Sequence, residues 1–201
     1  MLLVAAVAAL VAVGGAAAYF VLRDTTSATE DVQQAMETAG CSFKTFKALP
    51  AGVHIPNPDV TPKQWNSFPP TSGPHYGQWV IWGDYDSPVR LTESTHNLEH
   101  GGIVVFYGKD VSQDQIEQLR RFYRDDPVAM LVAPLPKLGN RIVLTAWYAP
   151  LAEKEGQPRP EARGILAECT RVDEKAFKAF RKTYRFHGPE RIPAESLQPG
   201  M

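Results

Sequence analysis

The chain has 201 residues, 44% of them apolar, which is enough for one compact domain with a hydrophobic core plus a short additional segment. Its 21 basic and 22 acidic residues are interspersed and give a formal net charge of -1. That balance excludes an extended basic surface for nucleic acid and an acidic disordered tail.

The first 22 residues, MLLVAAVAALVAVGGAAAYFVL, contain no charged side chain. A helix of this length, at about 1.5 Å per residue, matches the roughly 30 Å hydrocarbon core of a bilayer. The alternative is a cleaved secretory signal processed among the small residues at 14–18, but the apolar run is long for a signal peptide. Residues 1–23 are therefore predicted to be an uncleaved, single-pass transmembrane anchor.

A short connecting helix is predicted within residues 24–40, over the segment SATEDVQQAMETAG. Ser27 and Glu30 have the spacing of a capping box, and Gly40 is expected to end the helix. The apolar residues of the segment share one helical face: Val32, Ala35, Met36 and Ala39.

Cys41 and Cys169 are the only cysteines, and their spacing matches no close-set metal or redox motif. A disulfide between them is the economical interpretation, and two unrelated buried thiols are the alternative. Because a disulfide requires an oxidising compartment, the domain is predicted to lie outside the cytoplasm, tethered to the cytoplasmic membrane by its N-terminal helix.

Residues 42–95 are rich in proline and aromatic residues and mostly lack the periodicity of a helix or a strand. The segment is too apolar for a linker. It is therefore expected to be a long ordered loop region packed on a scaffold, and loops of this kind often carry function.

The scaffold is predicted to follow in the order strand, helix, strand, strand, helix. The strands are GGIVVFY, VAMLVAPL and RIVLTAWYA, and the turn at 137–140 indicates that the last two pair as a hairpin. This order predicts an α+β domain over residues 41–190, in which helices cover one face of a small mixed sheet. Residues 191–201 are expected to form a C-terminal tail.

Both scaffold helices have recognisable starts. The helix in VSQDQIEQLRRFYRD is predicted to be capped by Ser112 and Gln115, and the last helix begins near Asp173 and ends by residues 188–189. The residues that face inward at helical spacing are Ile116, Leu119, Tyr123, Phe177, Phe180 and Tyr184.

Four of the five histidines lie in the loop region or at its junction with the first scaffold strand. Within HNLEHGG, the spacing of four puts the rings of His96 and His100 on one side of a helical turn, where both can reach one ion at about 2.0–2.1 Å. His75, fixed in the turn PPTSGPHYG, is the third predicted ligand, and His54 is the fourth. Glu99 is expected to orient a histidine rather than to bind the ion.

Other interpretations of these residues stay open. The histidines and Glu99 could close a loop through hydrogen bonds to the backbone, without any ion. His-x-x-Glu-His also matches the inverted zinc-peptidase motif, although Gly101 and Gly102 break the long helix that such an enzyme needs. The fifth histidine, His187, is expected at the C-terminus of the last helix.

The predicted cofactor is a copper ion, with a zinc ion as the alternative. An all-imidazole donor set accepts both metals, and copper has the higher intrinsic affinity. Met130, in the middle strand, could add a weak thioether ligand for copper(I), but a methionine in VAMLVAPL is more often a core residue.

The pairing of PPTSGPHY with HNLEHGGIVVFY, behind an N-terminal membrane segment, resembles the prokaryotic membrane-anchored family of the domain of unknown function 3105. The similarity extends over roughly residues 40–190 and includes GC at 40–41, TAW at 145–147 and GPE at 188–190. The resemblance implies an exported, anchored domain whose histidine motifs are its signature. It implies neither a reaction nor a ligand.

The leading functional hypothesis is a membrane-tethered extracytoplasmic metal-binding protein that handles copper for a membrane or respiratory enzyme. The alternative is a metal-independent interaction module or accessory subunit of a membrane complex, docked through Trp65, Trp79 and Trp82. A third hypothesis is a metal-dependent hydrolase with Glu99 as general base. The sequence contains no nucleophile set, phosphate-cradling loop or cofactor fingerprint, so an enzyme is the less favoured class.

Overall fold

The structure, a computed structural model, describes residues 29–152 and 157–201 of the chain. These residues form four α-helices and eight β-strands around a six-stranded mixed sheet. The predicted anchor at residues 1–23 lies outside the described residues, and so does Ser27 of the predicted capping box. Within the described ranges, no helix combines the length and the apolar character needed to cross a bilayer.

The elements confirm the predicted α+β class. The helices are α1 at 29–38, α2 at Leu91–Glu99, α3 at Gln113–Asp125 and α4 at Glu174–Tyr184. The strands are β1 Ser42–Lys47, β2 His54–Ile55, β3 His75–Tyr76, β4 Gly83–Asp84, β5 Ile103–Tyr107, β6 Met130–Pro134, β7 Ile142–Tyr148 and β8 Arg163–Cys169. Strands β1 and β8, both outside the predicted scaffold, extend the sheet on one side.

The order of strands in the large sheet is β1-β8-β7-β5-β6-β4. Strands β5 and β6 are parallel and are connected through α3, whereas β7 pairs antiparallel with both β5 and β8. The predicted hairpin is wrong, because β5 lies between β6 and β7. The loop that connects β6 to β7 passes over the end of β5. There Gly108 packs so tightly on the backbone of Gly139 that a Cβ atom at position 108 would collide with it.

Helices α1, α3 and α4 cover one face of the sheet, which we call the helical face. Their buried apolar side chains are Val32, Met36, Leu119, Phe122, Ala176, Phe177, Phe180 and Tyr184. They pack on strand residues such as Ile103, Val105 and Leu144. Both scaffold helices have side-chain caps, since Ser112 accepts a hydrogen bond from the backbone of Gln115 and Asp173 accepts one from Ala176.

The predicted disulfide between Cys41 and Cys169 is confirmed. It joins the chain just before β1 to the last residue of β8, next to the paired residues Ser42 and Glu168. Both half-cystines are buried in the core of the helical face. The bridge therefore links the start of the edge strand β1 to the end of its neighbour β8, within the core of the helical face.

The opposite face, which we call the loop face, is covered by α2 and the irregular segment at 48–90. Leu98 of α2 joins a second core cluster that includes Trp82, Phe106 and Trp147. The expectation that all helices lie on one face is therefore wrong for α2. Only one of the seven buried residues of this helix is apolar, and two of the polar ones, His96 and Glu99, belong to the site described below.

Residues 191–201, expected as a tail, lie against the domain. Leu197 is buried and its carbonyl accepts a hydrogen bond from Ala129 at 2.8 Å. Trp82 exchanges backbone hydrogen bonds with Gly200 and Met201, each at 2.9 Å. The C-terminal residues thus help to fix the end of the irregular segment.

Candidate metal centre

Three separate parts of the chain bring the predicted histidines together. Strands β2 and β3 pair in parallel, with His54 directly opposite His75. Helix α2 packs against β3 and presents His96. The ring centroids of His75 and His96 are 4.7 Å apart, and the ring of His54 lies 5.0 Å from that of His75 and 5.3 Å from that of His96.

Helix α2 is held in place by polar contacts rather than by an apolar stripe. Asn97 donates to the carbonyl of Val80 at 2.8 Å and accepts from its amide at 3.0 Å. Thr92 donates to the carbonyl of Pro58. Because buried polar groups need such partners, these bonds fix both the helix and the loop that crosses it.

One donor set consists of His54, His75, His96 and Glu99, and we call it the inner donor set. One ligand atom from each residue lies within 4.8 Å of the others. His54 is exposed, whereas the other three residues are buried. Three imidazoles and a carboxylate at this spacing form a possible metal-binding cluster.

Backbone carbonyls orient two of the rings. Nδ1 of His75 lies 2.8 Å from the carbonyl of Gly73, and Nδ1 of His96 lies 2.9 Å from the carbonyl of Tyr76. A carbonyl only accepts, so each Nδ1 carries the hydrogen and each neutral ring has its lone pair on Nε2. This arrangement, in which one ring nitrogen bonds the backbone and the other points inward, is typical of metal-binding histidines.

The protonation states also suit a metal. Burial, together with the nearby His100, lowers the pKa of His96 to about 4. Burial likewise lowers the pKa of His100, against the opposing effect of Glu190. Burial alone would raise the pKa of Glu99, but the close contact with His75 and the hydrogen bond from the amide of Gly52 outweigh it and lower this pKa. At neutral pH His96 and His100 are therefore neutral imidazoles and Glu99 is an ionised carboxylate, which are the forms that bind a metal.

The contact between His75 and Glu99 points most directly to a cation. His75 Nε2 is fully buried and lies 3.0 Å from Glu99 Oε2, yet it has no well-directed hydrogen bond to any described residue. In the neutral ring this nitrogen carries a lone pair, so two acceptors face each other. A cation between them would resolve the conflict, since two ligands of one ion lie roughly 3.0–3.4 Å apart.

A second group of donors adjoins the first and consists of His96, His100 and Glu190; we call it the outer donor set. One ligand atom from each lies within 4.8 Å of the others. His100 Nε2 is 3.1 Å from Glu190 Oε2, and the ring centroids of His96 and His100 are 4.5 Å apart. The two donor sets share His96.

The motif HNLEH is therefore divided between the two donor sets. Glu99 turns toward His75, whereas His100 turns toward Glu190. This differs from the peptidase arrangement, in which the glutamate would act on a water bound to the ion that the two histidines share. The contact of Glu99 with His75 is compatible with the expected orienting role, which stays a prediction, and the same carboxylate also lies among the donors of the inner set.

The remaining candidate residues lie elsewhere. Met130 is fully buried in the core of the helical face, on the other side of the sheet from both donor sets. His187 follows α4 and packs its ring against Tyr148, with ring centroids 5.7 Å apart. Glu190 was not predicted as a ligand, although it belongs to the GPE segment, because nothing in the sequence pairs it with His100 some ninety positions earlier.

The three tryptophans of the loop region have different environments. Trp82 is buried, and Trp65 is half-buried and donates to the carbonyl of Pro74. Trp79 is 42% exposed and lies beside the histidines, with its ring centroid 4.9 Å from that of His100 and 5.6 Å from that of His96. Of the three, Trp79 is the one that borders the candidate site from the solvent side.

Comparison with known proteins identifies a family for the chain. The family model described as "Protein of unknown function (DUF3105)" matches residues 59–196, which include every donor described above except His54. No curated protein and no solved structure gives a significant match. Because the family model covers more than half of the sequence, this chain belongs to the DUF3105 family of proteins of unknown function.

Proposed function

We propose that this chain is a metal-binding protein that holds one divalent transition-metal ion in the inner donor set. The observation that carries the proposal is the fully buried His75 Nε2, which faces a carboxylate oxygen at 3.0 Å without a directed hydrogen bond to any described residue. His54 and His96 add two further donors within 4.8 Å. A divalent cation would satisfy all four groups at once.

The donor set favours copper(II) or zinc. Three imidazoles and one carboxylate suit both ions, and copper(II) has the higher intrinsic affinity, so it is expected to displace zinc in direct competition. Copper(I) prefers soft sulfur ligands, and the thioether of Met130 packs in the core of the opposite face. We therefore propose copper(II) as the first candidate and zinc as the second.

Four protein donors support binding rather than catalysis. A catalytic zinc ion keeps one position open for water, whereas a four-coordinate ion held by four side chains has its tetrahedral shell complete. We propose that the protein stores or delivers the ion. Service to a membrane or respiratory enzyme stays a prediction from the sequence.

The same proposal includes the location of the domain. The disulfide between Cys41 and Cys169 supports an oxidising compartment, and the uncharged residues 1–22 support a membrane tether. On this proposal the domain lies outside the cytoplasm on a single-pass anchor.

The test is the metal content of the full-length chain, purified in a mild detergent without a metal-affinity tag and supplied with copper(II) or zinc. We expect about one ion per chain, and we expect Glu99→Gln to weaken binding by roughly 10-fold to 100-fold or more because it removes a charged donor. Elemental mass spectrometry after dialysis measures both.

The matched control is His187→Gln, which removes a half-buried histidine outside both donor sets and is expected to retain the ion. Circular dichroism of each variant verifies the fold. A folded wild-type chain that takes up neither metal would overturn the proposal and would favour a metal-independent interaction module instead.

A further inference from the structure

We propose that the outer donor set is a second position for the same ion, through which the ion passes on its way to and from the inner donor set. The inference rests on the proposed metal binding at the inner set, and it assigns a role to His100 and Glu190. It goes beyond the binding site itself because it concerns how the ion arrives and leaves.

The outer donor set is held by the backbone. The amide of Glu190 donates to the carbonyl of Glu99 at 3.1 Å, and the amide of Phe186 donates to the carbonyl of Gly101 at 2.7 Å. Gly101 has a φ of 81°, and a Cβ there would meet the amide nitrogen of Gly188 at 2.8 Å, so glycine permits this close approach. Glu190 is thus anchored beside the end of α2.

The ring of His100 also has a nitrogen without a hydrogen bond to the described residues. The residue is only 5% exposed, and its Nδ1 is buried without a hydrogen-bond partner in the described part of the chain. Its Nε2 faces the carboxylate of Glu190 at 3.1 Å. A buried histidine whose nitrogens are not both satisfied by the protein is a plausible ligand for a cation.

The shared residue His96 makes the two positions alternatives. Its Nδ1 is bound to the carbonyl of Tyr76, which leaves one lone pair, on Nε2, for a metal. One lone pair coordinates one ion, so an ion in the outer set and an ion in the inner set cannot both have His96 as a ligand. The geometry therefore fits one ion with two positions better than two resident ions.

Solvent exposure and charge indicate which donor set the ion reaches first. Glu190 is 53% exposed on its side chain, so the outer set presents a carboxylate to solvent, and a carboxylate attracts a cation. The inner set has its own carboxylate almost fully buried, and its solvent-facing member is the imidazole of His54. The outer set is consequently the better place to capture an ion, and the inner set, with four donors, is the better place to keep it.

A transit position has a kinetic signature that a final ligand does not have. Removing an intermediate raises the barrier in both directions, so the rates of loading and release fall by the same factor and the Kd is unchanged. Removing a ligand of the final site mainly raises the rate of release and weakens the Kd.

The experiment is stopped-flow mixing of the full-length chain with copper(II), followed by tryptophan fluorescence. The ring centroids of Trp79 and His100 are 4.9 Å apart, and those of Trp147 and His75 are 6.3 Å apart. A bound copper(II) ion should therefore quench the fluorescence of both tryptophans. For Glu190→Gln we expect roughly 10-fold slower loading and equally slower release to a chelator, with the Kd within about threefold of wild type. The exposed Glu195→Gln removes the same charge from the same segment and is expected to behave as wild type.

Each other outcome overturns the inference in a distinct way. Two tightly bound ions per wild-type chain would mean two resident sites, and a weakened Kd with unchanged loading would make Glu190 a ligand of the final site. Wild-type rates in Glu190→Gln would mean that the ion enters past His54. In these cases the loss of binding in Glu99→Gln still upholds the proposed function, whereas a wild-type chain without metal overturns both.

Discussion

The two faces of the six-stranded sheet bury different kinds of side chain. On the helical face, α1, α3 and α4 pack a nearly continuous apolar layer that also contains the disulfide. Its buried cation, Arg181, is neutralised by Asp125 at 2.9 Å and donates to the carbonyl of Phe122. On the loop face, six of the seven buried residues of α2 are polar.

The comparison separates stability from chemistry within one small domain. Apolar burial stabilises the fold, whereas a buried polar group costs free energy unless it is hydrogen-bonded. Most polar groups of α2 meet that condition, as Asn97 does with both backbone atoms of Val80. The ring nitrogens of His75 and His100 that lack a partner among the described residues lie in the two donor sets. On the proposed function, a metal ion would satisfy these two buried groups of the loop face.

Removing the disulfide should have the largest effect on stability and should spare the site. Substitution of both Cys41 and Cys169 by serine is expected to reduce the free energy of unfolding by about 4–5 kcal/mol, because the bridge closes a loop with a sequence separation of 128. Denaturant unfolding of the metal-free chain measures this loss. The copper(II) affinity of the molecules that remain folded should stay within about threefold of wild type, because the bridge lies on the helical face.

A folded variant that no longer binds copper(II) would contradict the separation of the two faces.

The effect of Glu99→Gln on the free energy of unfolding should change sign when copper(II) is added. Copper(II) at 100 times the wild-type Kd is expected to stabilise the wild-type chain by about 2.7 kcal/mol. It should stabilise Glu99→Gln by only about 1.4 kcal/mol if binding is roughly 10-fold weaker and about 0.4 kcal/mol if it is roughly 100-fold weaker. Without metal, the variant should equal the wild type or exceed it by up to about 1 kcal/mol, because the new amide can donate to His75 Nε2. Thermal unfolding with and without copper(II) measures both, and a large destabilisation of the metal-free variant would argue that Glu99 is a structural residue.

Acid should weaken the loop face before the helical face. Burial, together with His100, lowers the pKa of His96 from 6.5 to about 4, while Glu99 opposes that shift. Between these two values the unfolded chain binds a proton at His96 that the folded chain does not bind, so stability falls as the pH falls. We expect a loss of roughly 2 kcal/mol in the metal-free chain between pH 6.5 and pH 4.

The control for this pH dependence is His96→Gln, in which the slope should become shallower; the remainder comes from His100 and His187, whose pKa values are also lowered by burial. On the helical face, a hydrogen bond from Arg185 lowers the pKa of Asp126 below its ordinary value of 3.8. Its contribution is present above that value and is lost only as the pH falls through the lower pKa of the folded state. A wild-type stability that stays constant from pH 7 to pH 4.5 would refute the prediction for His96.

The sequence predicts the helical face well because its signals are periodic. Phe177, Phe180 and Tyr184 fall on one side of α4, and all three are buried there. Strand β1 gives no such signal, since Phe43 packs on the helical face and Phe46, three residues later, on the loop face. Because its apolar residues point to both faces, the strand shows no alternation of apolar and polar residues, and the sequence alone predicts it to be part of the loop region.

The candidate site was predicted in part. The histidine motifs predict a site of His75, His96 and His100 with His54 as the fourth ligand. The structure groups His54, His75 and His96 with Glu99, and it groups His100 with His96 and Glu190. The division of HNLEH between two donor sets depends on the register of β2 with β3 and on the approach of residues 186–190 to the end of α2. Both are long-range contacts, and local periodicity carries no information about them.

The disulfide also has a consequence for the covalent connectivity of the site. With Cys41 joined to Cys169, residues 41–169 form a covalently closed ring that contains every member of the inner donor set. Glu190 lies outside this ring, in the C-terminal segment that follows Cys169. A single proteolytic cut anywhere inside the ring leaves all four inner donors on one covalently connected molecule. A cut between residues 169 and 190 detaches Glu190 from them. The disulfide therefore protects the inner donor set, where the ion is proposed to be held, but not the outer donor set, where it is proposed to arrive.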